Sequence, residues 1–322
     1  MKNWLRLVSL WIVCGGLASS TYAEKIVLRV GHFPNITHAQ GVIAHQLSRQ
    51  GKGWFEQRLG QDVTIEWYVY NAGPSAMEAI FAKSLDLTYV GPNPAINAYV
   101  KSNGEEIRVI AGSANGGAAL VVQGDGRIKA PADFRGKKVA TPQLGNTQDV
   151  ACRSWLKDQG YKITQVGGDV LIIPTANPDQ LGLFMKGDVD AVWTVEPWVS
   201  RLELEGKGKI YLEEQDAITT ILVSSVKFLN GQRELARKFA AAHAELTQWI
   251  QKNPEEAQQL MQAELKAETT SQVSIDLIKH AWPRLQFTNE ITGSALEKFI
   301  KAAKAAGFLR DEVDFAHLVE QP

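Results

Sequence analysis

From residue 25 to about residue 212, short apolar runs alternate with longer stretches of helical periodicity. Residues 26–30 read as a strand, and a helix follows from about 38 to 49. Residues 63–69 and 87–90 are strands, with helices over 75–82 and 94–102, and 107–111 is a further strand. After Gly116-Gly117 the rhythm restarts: strands at 119–122 and 138–140, a helix at 148–159, then strand 170–173, helix 178–186 and strand 191–194. Strands that alternate with helices in this way are βαβ units, which build mainly parallel sheets.

Residues 220–224 look like a strand returning to the first set, and from Gln232 onward the chain is nearly all helical, broken at Pro254 and Pro283. The pattern predicts an α/β fold with two doubly wound lobes and a helical C-terminal part. Residues 24–112 plus 225–322 form lobe 1 and 113–224 form lobe 2, with crossings near 112–115 and near Ser224. No repeat of 20–50 residues is visible, which argues against a solenoid.

The segments just past each strand carry the chemistry. After 28–30 comes Gly31-His32-Phe33-Pro34-Asn35-Ile36-Thr37, and after 68–70 comes Asn71-Ala72-Gly73-Pro74-Ser75. Gly91-Pro92-Asn93-Pro94 succeeds the third strand, and Pro142-Gln143-Leu144-Gly145-Asn146-Thr147 succeeds 138–141. Ser75 with Glu78 and Asn146 with Asp149 have capping-box spacing, and Asn93-Pro94 and Asn177-Pro178 read as capped helix starts. In a parallel sheet such starts gather at the carboxyl edge of the strands, where open α/β sheets bind ligands. Each start presents unpaired N–H groups and partial positive charge, so several together can hold one anion without Lys or Arg.

Aromatic residues give a second clue. Trp193 and Trp198 flank Thr194-Val195-Glu196-Pro197, while Phe33 and Tyr89 sit near strand ends in the other lobe. Aromatic walls around a few polar donors suit a small organic ligand, and Trp193 and Phe33 argue against a bare nitrate site. Enzyme signatures are absent: the sequence holds no G-x-S-x-G elbow, no P-loop and no full G-x-G-x-x-G. His38 and His45 are seven apart, but no neighbouring Cys, Asp or Glu completes a metal-ligand spacing. The expectation is a protein without catalytic residues, cofactor or metal.

Charge and cysteine content narrow the class. The chain of 322 residues carries 34 Lys and Arg against 35 Asp and Glu, which excludes a general polyanion binder and points away from nucleic acid. Lys2 and Arg6 precede an apolar stretch over 7–17 and a small-residue segment ending at Ala23. That is the pattern of a secretory signal peptide over residues 1–23, and it implies a periplasmic protein. The apolar stretch is shorter than the about 20 residues a membrane span needs. Cleavage after Ala23 would leave Cys152 as the single cysteine, so no disulfide within the chain is expected.

Taken together, these residues resemble the nitrate/sulfonate/taurine group of ABC-importer substrate-binding proteins. The carriers are Leu28-Arg29-Val30-Gly31-His32-Phe33-Pro34, Gly51-Lys52-Gly53-Trp54-Phe55 and Gly73-Pro74-Ser75-Ala76-Met77-Glu78-Ala79. Leu85 to Gly91, Phe134 to Ala140, Gly187 to Ala191 and the W-x-x-E-P-W stretch from Trp193 to Trp198 complete the pattern. The resemblance implies a two-lobed periplasmic-binding-protein fold of type II that closes on its solute, and a monomer that docks on a membrane permease. It implies ligand contacts at Phe33, Asn35 and His38, at Gly73 to Ser75 and at Gly91 to Asn93. Ser113, Asn115, Asn146, Thr147 and Glu196 are the other matching positions. Sulfonate or taurine is the expected ligand, although Gly145-Asn146-Thr147-Gln148 stands where the sulfonate pattern has consecutive serines. Two other classes stay open on the residues alone: a biosynthetic enzyme of the same fold, making a pyrimidine or menaquinone precursor, and a solute sensor for a membrane receptor.

Overall fold

The computed structural model describes residues 25–269, 273–309 and 313–322. The expected signal peptide over 1–23 lies outside the described residues. The first sheet opens with β1 (Ile26–His32), flanked in sequence by α1 (Ala39–Arg49) and α2 (Trp54–Leu59). It continues through β2 (Val63–Val69), α3 (Gly73–Phe81), β3 (Leu87–Val90), α4 (Pro92–Lys101) and β4 (Ile107–Gly116). The second sheet comprises β5 (Ala118–Val122), β6 (Lys138–Thr141), β7 (Leu171–Pro174), β8 (Ala191–Val195) and β9 (Lys209–Glu214), with α5 (Thr147–Asp158), α6 (Asn177–Lys186) and α7 (Trp198–Leu204) between them. The chain then returns through β10 (Ile218–Ser225) and adds α8 (Val226–Gly231), α9 (Arg233–Lys252), α10 (Pro254–Thr269), α11 (Ile275–Ala281), β11 (Leu285–Phe287) and α12 (Gly293–Ala306).

The spatial order is β11-β4-β10-β3-β1-β2 in one sheet and β7-β6-β8-β5-β9 in the other. Parallel pairing holds for β1 with β2 and β3, and for β6 with β7 and β8. The strands that carry the chain between sheets run antiparallel, so both sheets are mixed. The change of sheet falls between Gly116 and Ala118, and again between Glu214 and Ile218. Both points lie off the crossings read from the sequence, near 112–115 and Ser224. The cause is the long β4–β10 pairing, which holds Asn115 opposite Ile218 and keeps both strands in the first sheet beyond their apolar centres. A Cβ on Gly116 would overlap backbone carbonyls of Arg284 and Gln215, and Gly116 and Gly117 both have positive φ, so this turn requires glycine.

Burial explains the layering. In the first sheet Leu28 and Val30 pack with Val42, Ile43, Phe55 and the α9 residues Phe239 and Leu246. The opposite face joins Ile80, Val90, Ile96 and Val109 to Leu296 and Phe299 of α12. The second sheet has its own two cores, one around Trp193, Phe134 and free, buried Cys152, the other around Val192, Phe184 and Val199. No helix among the described residues is long and apolar enough to cross a membrane.

Candidate functional site

A cavity of about 20 Å³ lies between the two sheets, room for one or two water-sized groups. Its first wall is the segment after β1, with Phe33, Asn35, Thr37 and His38, together with Ala72, Gly73, Gly91 and Pro94 at the starts of α3 and α4. Its second wall is Pro142, Asn146, Thr147 and Gln148 at the start of α5, Asn177 at the start of α6, and Val195 at the end of β8. Four helix N-termini, two from each sheet, therefore converge on one small space. No Lys, Arg, Asp or Glu among the described residues lines it.

The caps of these helices matter. α3, α4 and α6 begin after Ala72, Gly91 and Ala176, none of which makes a side-chain cap. Prolines in their first turns remove some donors, and the remaining N–H groups have no intrahelical partner. α5 differs: the Asn146 side chain accepts from Asp149 N–H at 2.8 Å, so its first turn is self-satisfied in part. The capping expectation thus holds for Asn146. It fails for Ser75, Asn93 and Asn177, because α3 starts at Gly73, α4 at Pro92 and α6 at Asn177 itself, which places all three residues inside the first turn. A Cβ on Gly91 would overlap Thr147 Oγ1 across the cavity, so glycine there permits the approach of the two walls.

Side chains at the cavity are oriented by bonds on their far ends. Asn35 Oδ1 accepts from Trp198 Nε1 at 3.0 Å, which leaves its NH₂ as the donor end. Asn177 Oδ1 accepts from Thr194 Oγ1 at 3.3 Å, with the same consequence. His38 Nδ1 accepts from Phe33 N–H at 3.3 Å, so the neutral ring carries its proton on Nε2. Burial, reinforced by nearby His32, holds the His38 pKa well below the ordinary imidazole value, and the ring stacks on Phe33 with centroids 4.2 Å apart. Thr147 Oγ1 accepts from Asn93 N–H at 3.3 Å. The cavity therefore offers neutral donors and no formal charge.

The structure brings together Phe33, Asn35, His38, Gly73, Gly91, Asn146 and Thr147. Asn93 touches this group through Thr147, while its side chain donates to Phe299 O at 3.1 Å. Ser75 lies beside the cavity against Gln143, 3.5 Å away. Four expected contacts fall elsewhere. Ser113 is buried and bonded to Gln40, which accepts from its hydroxyl at 2.6 Å. Asn115 sits in the β4–β10 ladder. Trp193 is not an aromatic wall of the cavity: strand alternation turns it into the second-lobe core, where it packs on Trp155 and donates to Glu214 at 3.0 Å.

Glu196 also faces away from the cavity. Its carboxylate accepts from Arg284 at 2.8 Å, from the Ser200 hydroxyl at 2.9 Å and from Ser200 N–H at 3.0 Å. Burial pushes its pKa above the usual carboxylate range, against the opposing pull of Ser200 and Arg284. Arg284 also reaches Glu203 at 2.8 Å and Glu213 at 3.4 Å. Site residues missed in the sequence include Asn177, whose Asn-Pro helix start is the available signal, and Thr219, which only the return of β10 brings to the cavity.

Two α/β lobes that meet over a cleft walled by helix N-termini define the class: the fold is that of the periplasmic binding proteins. Within it, the chain belongs to the NMT1-like family, whose model matches residues 21–265. Among curated relatives, the chain is 27% identical over 144 residues to the taurine-binding periplasmic protein of Escherichia coli, covering 45% of this chain and 43% of that one. It is 26% identical over 224 residues to the putative aliphatic sulfonates-binding protein of the same species, covering 67% and 64%. The matches thus span about half to two thirds of those relatives' length. Among solved structures, the alkanesulfonate-binding protein SsuA from Xanthomonas axonopodis pv. citri bound to MOPS superimposes with TM-score 0.77 at 17% identity, over 93% of this chain and all of that one. The periplasmic nitrate-binding protein NrtA from Synechocystis PCC 6803 gives 0.72 at 15% identity, over 88% and 82%.

Proposed function

We propose that the chain is the solute-capturing component of an ABC importer, that it binds the head group of a small organic anion between its lobes, and that it delivers this solute to a membrane permease. The supporting observation is the convergence of four helix N-termini on a cavity lined by no charged side chain. Such a site favours anions through amide dipoles and rejects cations, which would meet only positive ends. A sulfonate head group is larger than the one or two water-sized groups this space admits, so binding requires the walls to move apart slightly, with any aliphatic tail extending past Phe33 toward the cleft mouth. The names of the taurine- and sulfonate-binding relatives agree with that choice. With Trp193 in the core, Phe33 is left as the aromatic lining residue and nitrate is less disfavoured, which makes it the natural competitor in any test. Capture needs no bond made or broken. The lobes part, the anion enters, and they close around it.

The test is isothermal titration with taurine, a series of alkanesulfonates, nitrate, bicarbonate and a phosphonate, alongside thermal melts. A ligand specific to the folded state raises Tm by mass action, by about 2.7 kcal/mol of added stability at 100 times Kd. The proposal expects sulfonates to bind most tightly. If no anion in the panel gives heat or a Tm shift at millimolar concentration, the reading is wrong.

A further inference from the structure

Behind Phe33 the first lobe buries a second polar cluster of different chemistry, made of none of the residues that line the anion cavity. β1 supplies His32, α1 supplies His45, and α10 supplies Glu264 and Glu268. His32 Nε2 lies 3.1 Å from His45 Nδ1, and each of these nitrogens lies 3.0 Å from Glu268 Oε1. Glu264 Oε1 is 2.8 Å from His45 Nδ1. The four side chains are 0%, 11%, 1% and 0% exposed for His32, His45, Glu268 and Glu264.

Hydrogen bonds leave part of this arrangement unsatisfied. His45 Nδ1 has at most one N–H, yet three acceptors lie around it, namely His32 Nε2, Glu264 and Glu268. If both ring nitrogens carried protons to serve Glu268, two N–H groups would point at each other across 3.1 Å. If they share one proton, Glu268 loses a donor. Glu264 Oε2 and Glu268 Oε2 are in addition buried without any hydrogen-bond partner, an arrangement that calls for an explanation in a folded protein. His32 Nδ1 is 3.3 Å from Phe33 O, the contact that turns the Nε2 lone pair toward the cluster. Metal-ligating imidazoles are held in this way by a backbone carbonyl on the far nitrogen.

We propose that His32, His45 and Glu268 are the ligands of a buried divalent transition-metal ion, with zinc the best match. Donors held about 2.1 Å from an ion sit roughly 3.0–3.4 Å from one another, the spacing of these three atoms. Two imidazoles with carboxylate are a zinc donor set. The two carboxylates balance the charge of the ion, and Glu264, 2.8 Å from His45 Nδ1 and contacted by Arg49 at 2.8 Å, lies beside the three ligands. The sequence hides the site because its histidines and its acids are more than two hundred residues apart, 223 between His45 and Glu268. The ion would staple α10 to β1 and α1 and so fix the strand end that carries Phe33.

The experiment uses tag-free protein purified without chelator. Metal analysis is expected to give about one zinc per chain, and Zn²⁺ added to EDTA-treated protein is expected to raise Tm by about 5 °C or more. Glu268→Gln, nearly isosteric, is expected to weaken Zn²⁺ binding at least 100-fold by titration. His45→Ala, at the most exposed ligand, should do the same if Glu268→Gln fails to fold. Absence of bound zinc together with no Tm response to Zn²⁺ would overturn the proposal. So would zinc binding left intact in the folded variants.

Discussion

Around the cavity the two lobes touch through neutral groups: Asn93 N–H to Thr147 at 3.3 Å, the Ser75 hydroxyl to Gln143 at 3.5 Å, and Trp198 Nε1 to Asn35 at 3.0 Å. At the chain crossover they touch through full charges: Arg284, just before β11 of the first sheet, meets Glu196, Glu203 and Glu213 of the second lobe at 2.8, 2.8 and 3.4 Å. The contrast is physical. Neutral hydrogen bonds contribute about 1 kcal/mol each when exchanged with water, so contacts of this kind cost little to break. A buried carboxylate beside guanidinium is costly to separate, so the crossover contacts are expected to cost more to break than those at the cavity rim.

The comparison breaks most sharply if Arg284 is removed. Arg284→Met leaves Glu196 buried without its cation, and the expected loss of stability is about 3 kcal/mol, read by urea unfolding. The double variant Glu196→Gln with Arg284→Met is expected to recover part of it. Equal stability of Arg284→Met and the parent would show that the crossover is no more strongly built than the cavity rim.

A proton-linked effect on the same crossover strand comes next in size. His243 donates from Nε2 to the Gly112 carbonyl of β4 at 2.8 Å and accepts from Tyr89 on Nδ1 at 3.0 Å. Burial lowers its pKa to about 4, against about 6.5 in an unfolded chain. The unfolded state thus takes up the proton first, and the stability His243 contributes is intact above pH 6.5 and lost as pH falls toward 4. Between pH 8 and pH 5 the loss is about 2 kcal/mol. Glu196 titrates in the opposite sense, its raised pKa adding stability as pH falls. The useful measurement is therefore the difference between the parent and His243→Gln at each pH. A difference that does not change between pH 8 and pH 5 would remove His243 as its source.

At the cavity a smaller change should act on binding and spare the fold. Gly91→Ala sets a methyl against Thr147 Oγ1 and holds the walls apart. Anion affinity is expected to fall about tenfold, or 1.4 kcal/mol, with unfolding stability nearly unchanged. Thr147→Ala in the same chain should restore part of the affinity by clearing the space. Affinity unaffected by Gly91→Ala would mean that the bound state does not use the wall separation described here.

The legibility of the molecule in its sequence divides along the same line. The strand–turn–helix rhythm places three helix starts to within two residues, at 75, 94 and 148 against the observed Gly73, Pro92 and Thr147, because glycine, proline and asparagine mark them by local backbone chemistry. Phe33 and His38 are legible as the residues just past a buried strand. Glu196 is not, since its direction depends on Arg284, 88 residues further on. Trp193 misleads because an aromatic near a strand end looks the same whether alternation points it to the cleft or to the core. Thr219 and the extent of β10 stay hidden because antiparallel pairing with β4 is a long-range fact.

The smallest expected effect concerns His38, and it distinguishes a dipolar cavity from a charged one. The ring is buried, and its pKa lies well below the ordinary value, so it stays neutral from pH 8 down to pH 6. No other titratable side chain among the described residues lines the cavity. Between these limits a sulfonate, itself fully ionised, should bind with a Kd that changes by less than about twofold. If titrations instead show binding that tightens tenfold per pH unit on acidification, a proton is being taken up with the anion. The cavity would then act through an imidazolium, and its contrast with the ionic crossover would dissolve.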